Sequence, residues 1–408
     1  MIKTKLKYYP SDLVVTILFV ISPFWTMPIV LFQLFKTRRS AYAILISVFF
    51  ALTASLLAPT GDLYRLYLDY FDFQNGNFNT YMNYIREKPD FFFYFILYVF
   101  AKIGLSLRLF IFILIFSFYQ LSFNLLLKKE KYLGVFVILL FVLQFDFLLH
   151  GLFLRFPLSM LIVIYATLNK LEGKKYVLLL LIFASVIHFS ALITIPLFYL
   201  SKMNFKKVNL YFLLSLIIMP FGSFILIYLV SNLLILYPDM PLSEKLSSYI
   251  LGYWSLEYFE ERTWKALSLF YIERAFYIII LLYFIFTRNI NKYRKQALIF
   301  FILINLLFSF PNLFSRFSIL GIFFGLFAII KENKKTNIAY FMKLSLALII
   351  PVVFTIRIVA QQKNIRTGYI PDLLYKNMIS LYNKEYDMKW IIEHIDDKTA
   401  SPKSIKAL

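Results

Sequence analysis

Three arginines break otherwise apolar runs: Arg155 in HGLFLRFPLSM, Arg274 in YIERAFY and Arg316 in PNLFSRFSIL. A guanidinium keeps its charge at any working pH, and its planar fork matches phosphate oxygens in pairs. Three of them at membrane depth make a lipid-linked phosphate or diphosphate the natural ligand. Three further groups share that unusual setting. His188 stands in the middle of ASVIHFSAL and is one of only three histidines in 408 residues. Asp146 and His150 lie four apart, on one helical face. Glu273 adjoins Arg274, with Tyr277 one turn on. A charge at the bilayer centre costs about 2.5–3.5 kcal/mol on the insertion scale, so each of these groups needs a reason. Each also has a structural alternative: arginines snorkel or pair helices, and a lone histidine serves as a helix contact. Convergence of several such groups is what would make a site.

The elements that must carry them are long and apolar. The chain is 61% hydrophobic, and its mean hydropathy of +0.74 exceeds what a soluble domain could bury. Twelve runs have roughly the length of a helix crossing the hydrocarbon core: 13–35, 40–58, 91–106, 108–127, 133–150, 156–172, 176–200, 208–236, 266–287, 297–313, 317–331 and 338–358. The expected architecture is an all-α, polytopic, GT-C-like membrane fold of ten to twelve spans. It forms a single transmembrane domain over 1–358, followed by a C-terminal tail, 359–408, of ordinary soluble composition on the non-cytoplasmic side.

The formal net charge of +21 does not point to nucleic acid, because the bases form short clusters between apolar runs. KTRR at 36–39, KKEK at 128–131, KK at 174–175, KMNFKK at 202–207, RNINKYRK at 288–295 and KENKK at 331–335 follow the positive-inside pattern. Segments 59–90 and 238–265 each carry five acids against three bases and are rich in tyrosine, so both read as outer loops. The absence of cysteine excludes disulfides, iron–sulfur clusters and thiol catalysis.

Spans and charges conflict when counted together. If every run crosses, KKEK falls outside, and 174–175 and 202–207 fall on opposite sides of 176–200. Either all twelve cross and the 128–175 region violates the charge rule, or 91–106 and 176–200 are re-entrant or broken helices, which removes both conflicts and leaves about ten true spans. Ser185, His188, Ser190, Thr194 and Pro196 supply the polar interruption that a broken element needs.

Four phrases occur in a fixed order: GDLYRLYLDY (61–70), PDFFFYFILYVFAKIGLS (89–106), RFPLSMLIVIYATLNKLEGKK (155–175) and IHFSALITIPLFYL (187–200). Their order and spacing resemble the EpsG-like, Wzy-type family of bacterial exopolysaccharide and O-antigen polymerases, with a weaker echo at Arg316. The chain departs from the family pattern where Phe156 follows Arg155, and where the acid expected before the aromatic run is Asp90 or Glu87, displaced around Pro89.

The resemblance implies a multi-pass glycosyltransferase of the bacterial inner membrane. It would join repeat units carried on undecaprenyl diphosphate at the outer face, for lipopolysaccharide or another exopolysaccharide. Besides that lipid-linked oligosaccharide and membrane lipids, a chain-length regulator protein is an expected partner, and no cofactor or metal is expected. Arg155, then Arg316 and Arg274, would stabilise the leaving diphosphate. His188 is a candidate base for the acceptor hydroxyl, with Asp62, Glu273 and the Asp146/His150 pair as competitors. Tyr64, Tyr67, Tyr249 and Trp254 would stack on sugar faces or form an interfacial aromatic belt. A lipid-linked oligosaccharide flippase and a membrane O-acyltransferase are the competing classes. Elongation by purified protein without an acyl donor separates all three.

Overall fold

The computed structural model describes residues 10–37, 39–87, 90–129, 154–200, 207–237, 247, 249–252, 264–287, 291–330, 362–398 and 400–403. These are almost wholly helical, and the protein is an all-α polytopic membrane protein. The runs at 133–150 and 338–358, with Asp146 and His150, lie outside the described residues. The chain divides into two compact units, residues 1–161 with 361–408, and residues 162–360.

In the first unit, the run 13–35 forms two helices, α1 (Pro10–Ile21) and α2 (Pro23–Thr37). They part at Ser22 because Pro23 brings no N–H to the ladder. Helix α3 (Ser40–Ser55) packs along α7 (Leu107–Lys129), whose stretch Leu107–Leu125 is long and apolar enough to cross a membrane. Between them lie α4 (Asp62–Asn75), α5 (Phe78–Glu87) and α6 (Phe91–Lys102). With 12 residues, α6 rises about 18 Å, well short of a hydrocarbon core of about 30 Å. That length accords with the re-entrant reading of 91–106, one of the two ways out of the conflict between spans and charges. Asp12 is buried in α1, where it accepts from Arg39 Nη1 at 2.7 Å and Tyr42 OH at 2.6 Å.

The C-terminal segment 362–403 folds onto this unit through short turns and a two-stranded antiparallel ladder, Ile395 opposite Pro402. Leu373 and Leu381 pack with Leu52 and Leu56 of the α3 end. Polar anchors fix the register. Leu56 O accepts from Tyr369 N at 3.0 Å and from Tyr386 OH at 2.7 Å, and Trp25 Nε1 donates to Leu374 O at 2.8 Å. Arg108, buried near the start of α7, donates through Nη1 to the carbonyls of Tyr382 and Lys384.

The second unit continues the helix that begins at Arg155, α8 (Arg155–Leu171). The run 176–200 is broken, as its polar residues suggested: α9 (Val177–Ile187) stops, a 3-10 helix covers Phe189–Ile193, and α10 (Thr194–Leu200) completes it. The break falls on His188, whose backbone is extended at φ −147°, ψ 118°. Helices α11 (Val208–Leu236), α12 (Trp264–Phe286), α13 (Lys292–Leu306) and α14 (Pro311–Ile330) form the rest, with α13 packed on both α11 and α14. The spans Val208–Leu236 and Pro311–Ile329 are long and apolar enough to cross a membrane. Their interior is stitched by a buried chain in which Tyr277 OH donates to Asn305 Oδ1 at 2.7 Å and Asn305 Nδ2 to Ser215 O at 2.8 Å.

Candidate active site

In the first unit, Asp90 immediately precedes α6 and Arg155 opens α8. Arg155 Nη1 donates to Asp90 Oδ2 at 2.8 Å and to the Tyr94 hydroxyl oxygen at 3.0 Å. The guanidinium also stacks over the rings of Phe93 at 5.5 Å and Tyr94 at 5.3 Å. A cation at a helix N-terminus meets the positive end of the helix dipole, which an adjacent carboxylate offsets. The Asp90 side chain is 4% exposed, whereas that of Arg155 is 28% exposed. Among the described residues, only Nη1 is engaged, so the second edge of the fork can still donate to an anion.

Carboxylates of α4 surround this pair. Asp62 and Asp69 both lie close enough to act on the Arg155 charge. Asp69 is buried and faces the hydroxyls of Tyr84 and Tyr94, while Tyr84 OH also donates to Asp72 Oδ2 at 2.8 Å. Burial, then the bond to Asp72, pushes the Tyr84 phenol up, which keeps it a donor. Asp62 starts α4 just after Gly61, whose φ of +58° suits glycine at this corner. Its side chain is 38% exposed, with Arg65 Nη1 at 3.8 Å, so this carboxylate is the accessible one. The structure thus brings together two residues anticipated from sequence, Asp62 and Arg155. It adds Asp69 and Tyr94, and it selects Asp90 as the arginine's partner.

Tyr64 and Tyr67 are both buried under the C-terminal segment. Tyr64 is 7% exposed and donates to Asp397 Oδ1 at 2.6 Å, and that bond followed by burial pushes its phenol up to about 12. Tyr67 is 3% exposed, its ring set edge-on to Tyr386 at 6.1 Å, and burial first of all raises its phenol. Both rings seat the C-terminal segment against α4 and offer no open face. Gly61 N, donating to Ala400 O at 2.8 Å, adds to the same seam.

The other anticipated residues belong to the second unit. Arg274 is buried on α12, donating to Phe308 O at 2.5 Å and stacking over Phe308 and Phe314 at 5.0 and 4.5 Å. That is the environment of a helix pin more than of an open anion ligand. Arg316, half-buried on α14, stacks over Tyr249 at 5.2 Å, so the start of α14 gathers Arg274, Arg316 and Tyr249. His188 is buried at the break, its Nδ1 2.8 Å from Ser190 Oγ. Glu273 sits on α12, but its side chain, and all of Trp254, fall outside the described residues.

Sequence reading missed Asp69 and Arg108, although both carried a signal. Asp69 lies seven residues after Asp62, two helical turns along the same α4 face, and Arg108 is a charge at the head of an apolar run. No curated protein and no solved structure matches the chain. The sequence profile of the EpsG family matches residues 40–373, a stretch that contains Asp62, Asp90, Arg155 and His188. The protein is therefore a member of the EpsG family, a Wzy-type family of polysaccharide polymerases.

Proposed function

We propose that the protein joins oligosaccharide repeat units carried on undecaprenyl diphosphate into a polysaccharide at the outer face of the bacterial inner membrane. The acidic segment 59–90 and the C-terminal segment packed against it would face that side. The observation that carries this reading is Arg155, oriented by Asp90 through one edge of its fork and partly exposed on the other, beside the accessible carboxylate of Asp62.

In the reaction, a hydroxyl of the incoming unit attacks the anomeric carbon of the growing chain. The new glycosidic C–O bond forms as the bond to the lipid diphosphate breaks, and the diphosphate leaves with the electron pair. Arg155 stabilises the charge that builds on the leaving oxygens. The hydroxyl proton passes to a carboxylate, for which Asp62 is the first choice and Asp69 the second. Neither a nucleotide donor nor a metal takes part in these steps. A chain-length regulator would act on the product and not on the bond-forming step.

The test is polymer formation by membranes carrying Arg155→Ala or Asp62→Asn, with insertion checked by protease protection. Both variants should insert and yield only short product. Wild-type chain length in both would remove these residues from the mechanism.

A further inference from the structure

We infer that the C-terminal segment docks on the phospholipid bilayer, seating Leu374, Tyr375, Ile379 and Tyr382 in the boundary between headgroups and acyl chains. This docking holds whatever reaction the protein performs.

These four large apolar side chains fall within 374–382 and all turn outward. Tyr375 and Ile379 are 71% and 68% exposed, in a segment of ordinary soluble composition. A soluble surface scatters such residues singly, whereas a cluster of them marks a contact.

The level of the segment identifies what it contacts. Arg108, in the first turn of α7, donates through Nη1 to the Tyr382 carbonyl at 2.9 Å and also to that of Lys384. Because Leu107–Leu125 is long and apolar enough to cross a membrane, that turn stands at the membrane boundary. Leu56 O, just past the end of α3, accepts from Tyr369 N and Tyr386 OH, which ties the segment to a second helix end. The patch is also continuous with the outer side of the apolar hairpin. The helix Met378–Tyr382 packs against α1, which turns Leu13, Ile17 and Ile21 outward. Trp25, 66% exposed near the start of α2, donates through Nε1 to Leu374 O at 2.8 Å. A soluble partner would need the patch clear of the lipid, and its continuity with α1 sets it against the bilayer instead.

The polar atoms of the patch suit that place. Trp25 Nε1 is engaged by Leu374 O, and Tyr375 OH donates to Asp372 Oδ1 at 2.6 Å. The Asp372 carboxylate is in turn paired with Lys376 Nζ at 2.7 Å and Lys384 Nζ at 3.6 Å. Taking the two rings out of water therefore strands neither donor. Tryptophan and tyrosine, apolar in body and polar at one end, are the side chains that such a boundary favours.

The chain contains no cysteine, so a single nitroxide reports one position. Full-length protein labelled at Tyr375→Cys, Ile379→Cys or Lys398→Cys is placed in phosphatidylcholine vesicles. Collisions with oxygen and with a water-soluble nickel chelate are then compared. All three positions are exposed, so the substitutions leave the packing of Leu373 and Leu381 intact. At 375 and 379 oxygen should prevail, with a depth of about 5–10 Å below the lipid phosphates. Lys398, in the polar turn after Asp397, should collide with nickel. Ile379→Asp should shift a label at 375 toward nickel. Nickel access at 379 equal to that at 398, or a 375 label unmoved by Ile379→Asp, would overturn the docking. Dipolar broadening at 379 that vanishes on dilution with unlabelled protein would assign the patch to a second copy of the chain, which overturns it as well.

Discussion

Asp90 and Arg155 stand 65 residues apart in the chain and meet at 2.8 Å, a buried carboxylate against a guanidinium that stays partly open. Removing one partner of a buried pair leaves the other charge uncompensated, at a cost of about 3–5 kcal/mol. Asp90→Ala should fall at the low end of that range because Arg155 keeps some exposure, and it should also lower polymer yield. Arg155→Lys should not rescue function, since an ammonium cannot serve Asp90 and a second anion with one planar fork. Thermal unfolding in detergent and product length read the two effects separately.

Arg108 holds the C-terminal segment by donating to the carbonyls of Tyr382 and Lys384. Net contributions of hydrogen bonds to a charged group are about 1.5–3 kcal/mol. Arg108→Ala should expose segment 362–403 to protease while the helices stay intact. An unchanged cleavage rate would show that the apolar contacts of Leu373 and Leu381 suffice.

Gly222 on α11 sits where a Cβ would lie 2.6 Å from Leu306 O and 2.8 Å from Leu306 Cα. Backbone cannot yield as a flexible side chain can, and small residues at such crossings let helices approach. Gly222→Ala should lower the unfolding temperature, at about 1–3 kcal/mol for overpacking. The buried chain Tyr277–Asn305–Ser215 would be disturbed with it, because Asn305 follows the same displacement.

The seating of the C-terminal segment should depend on pH at both extremes. At Asp372, burial opposes ionisation, but hydrogen bonds from Lys376 and Tyr375 and the charges of Lys376 and Lys384 prevail, holding the carboxyl below its ordinary value of 3.8. Because its folded value is depressed, its contribution is complete above that ordinary value and is lost as pH falls through the folded one. Tyr64 works in the opposite sense. Its phenol is raised from 10.0 to about 12, so the Asp397 bond stabilises fully below 10.0 and is lost as pH climbs through about 12. Amide protection across 362–403, relative to the intrinsic exchange rate at each pH, should therefore fall at both ends, and Asp372→Asn should abolish the acid limb.

Composition and charge pattern made the membrane class and the suspect run 176–200 legible. The signal there was local: a histidine and three hydroxyl residues inside an apolar stretch, which unsettle a spanning helix where they stand. Arg155 was legible for the same reason, as a charge where charge is costly, whereas Asp62 was legible only through the phrase GDLYRLYLDY and the family it resembles. The partner of Arg155 was not, because hydropathy says how deep a residue lies and nothing about which neighbour 65 positions away will meet it. The burial of Tyr64 and Tyr67 was not legible for a related reason. A tyrosine in an acidic loop looks exposed until a distant segment covers it, and residues 362–403 do so through Asp397 and Tyr386. Arg274 is a costly charge met by a carbonyl and two aromatic faces, a setting hydropathy does not describe.

The most direct measurement of the polymerase account uses purified protein in vesicles, supplied only with undecaprenyl-diphosphate-linked repeat units and with no nucleotide sugar or acyl donor. The products are resolved by length. The account predicts a ladder of polymer with release of undecaprenyl diphosphate in step with each bond formed, and its collapse to the input unit in Arg155→Ala. Redistribution of intact units across the bilayer without elongation would contradict it.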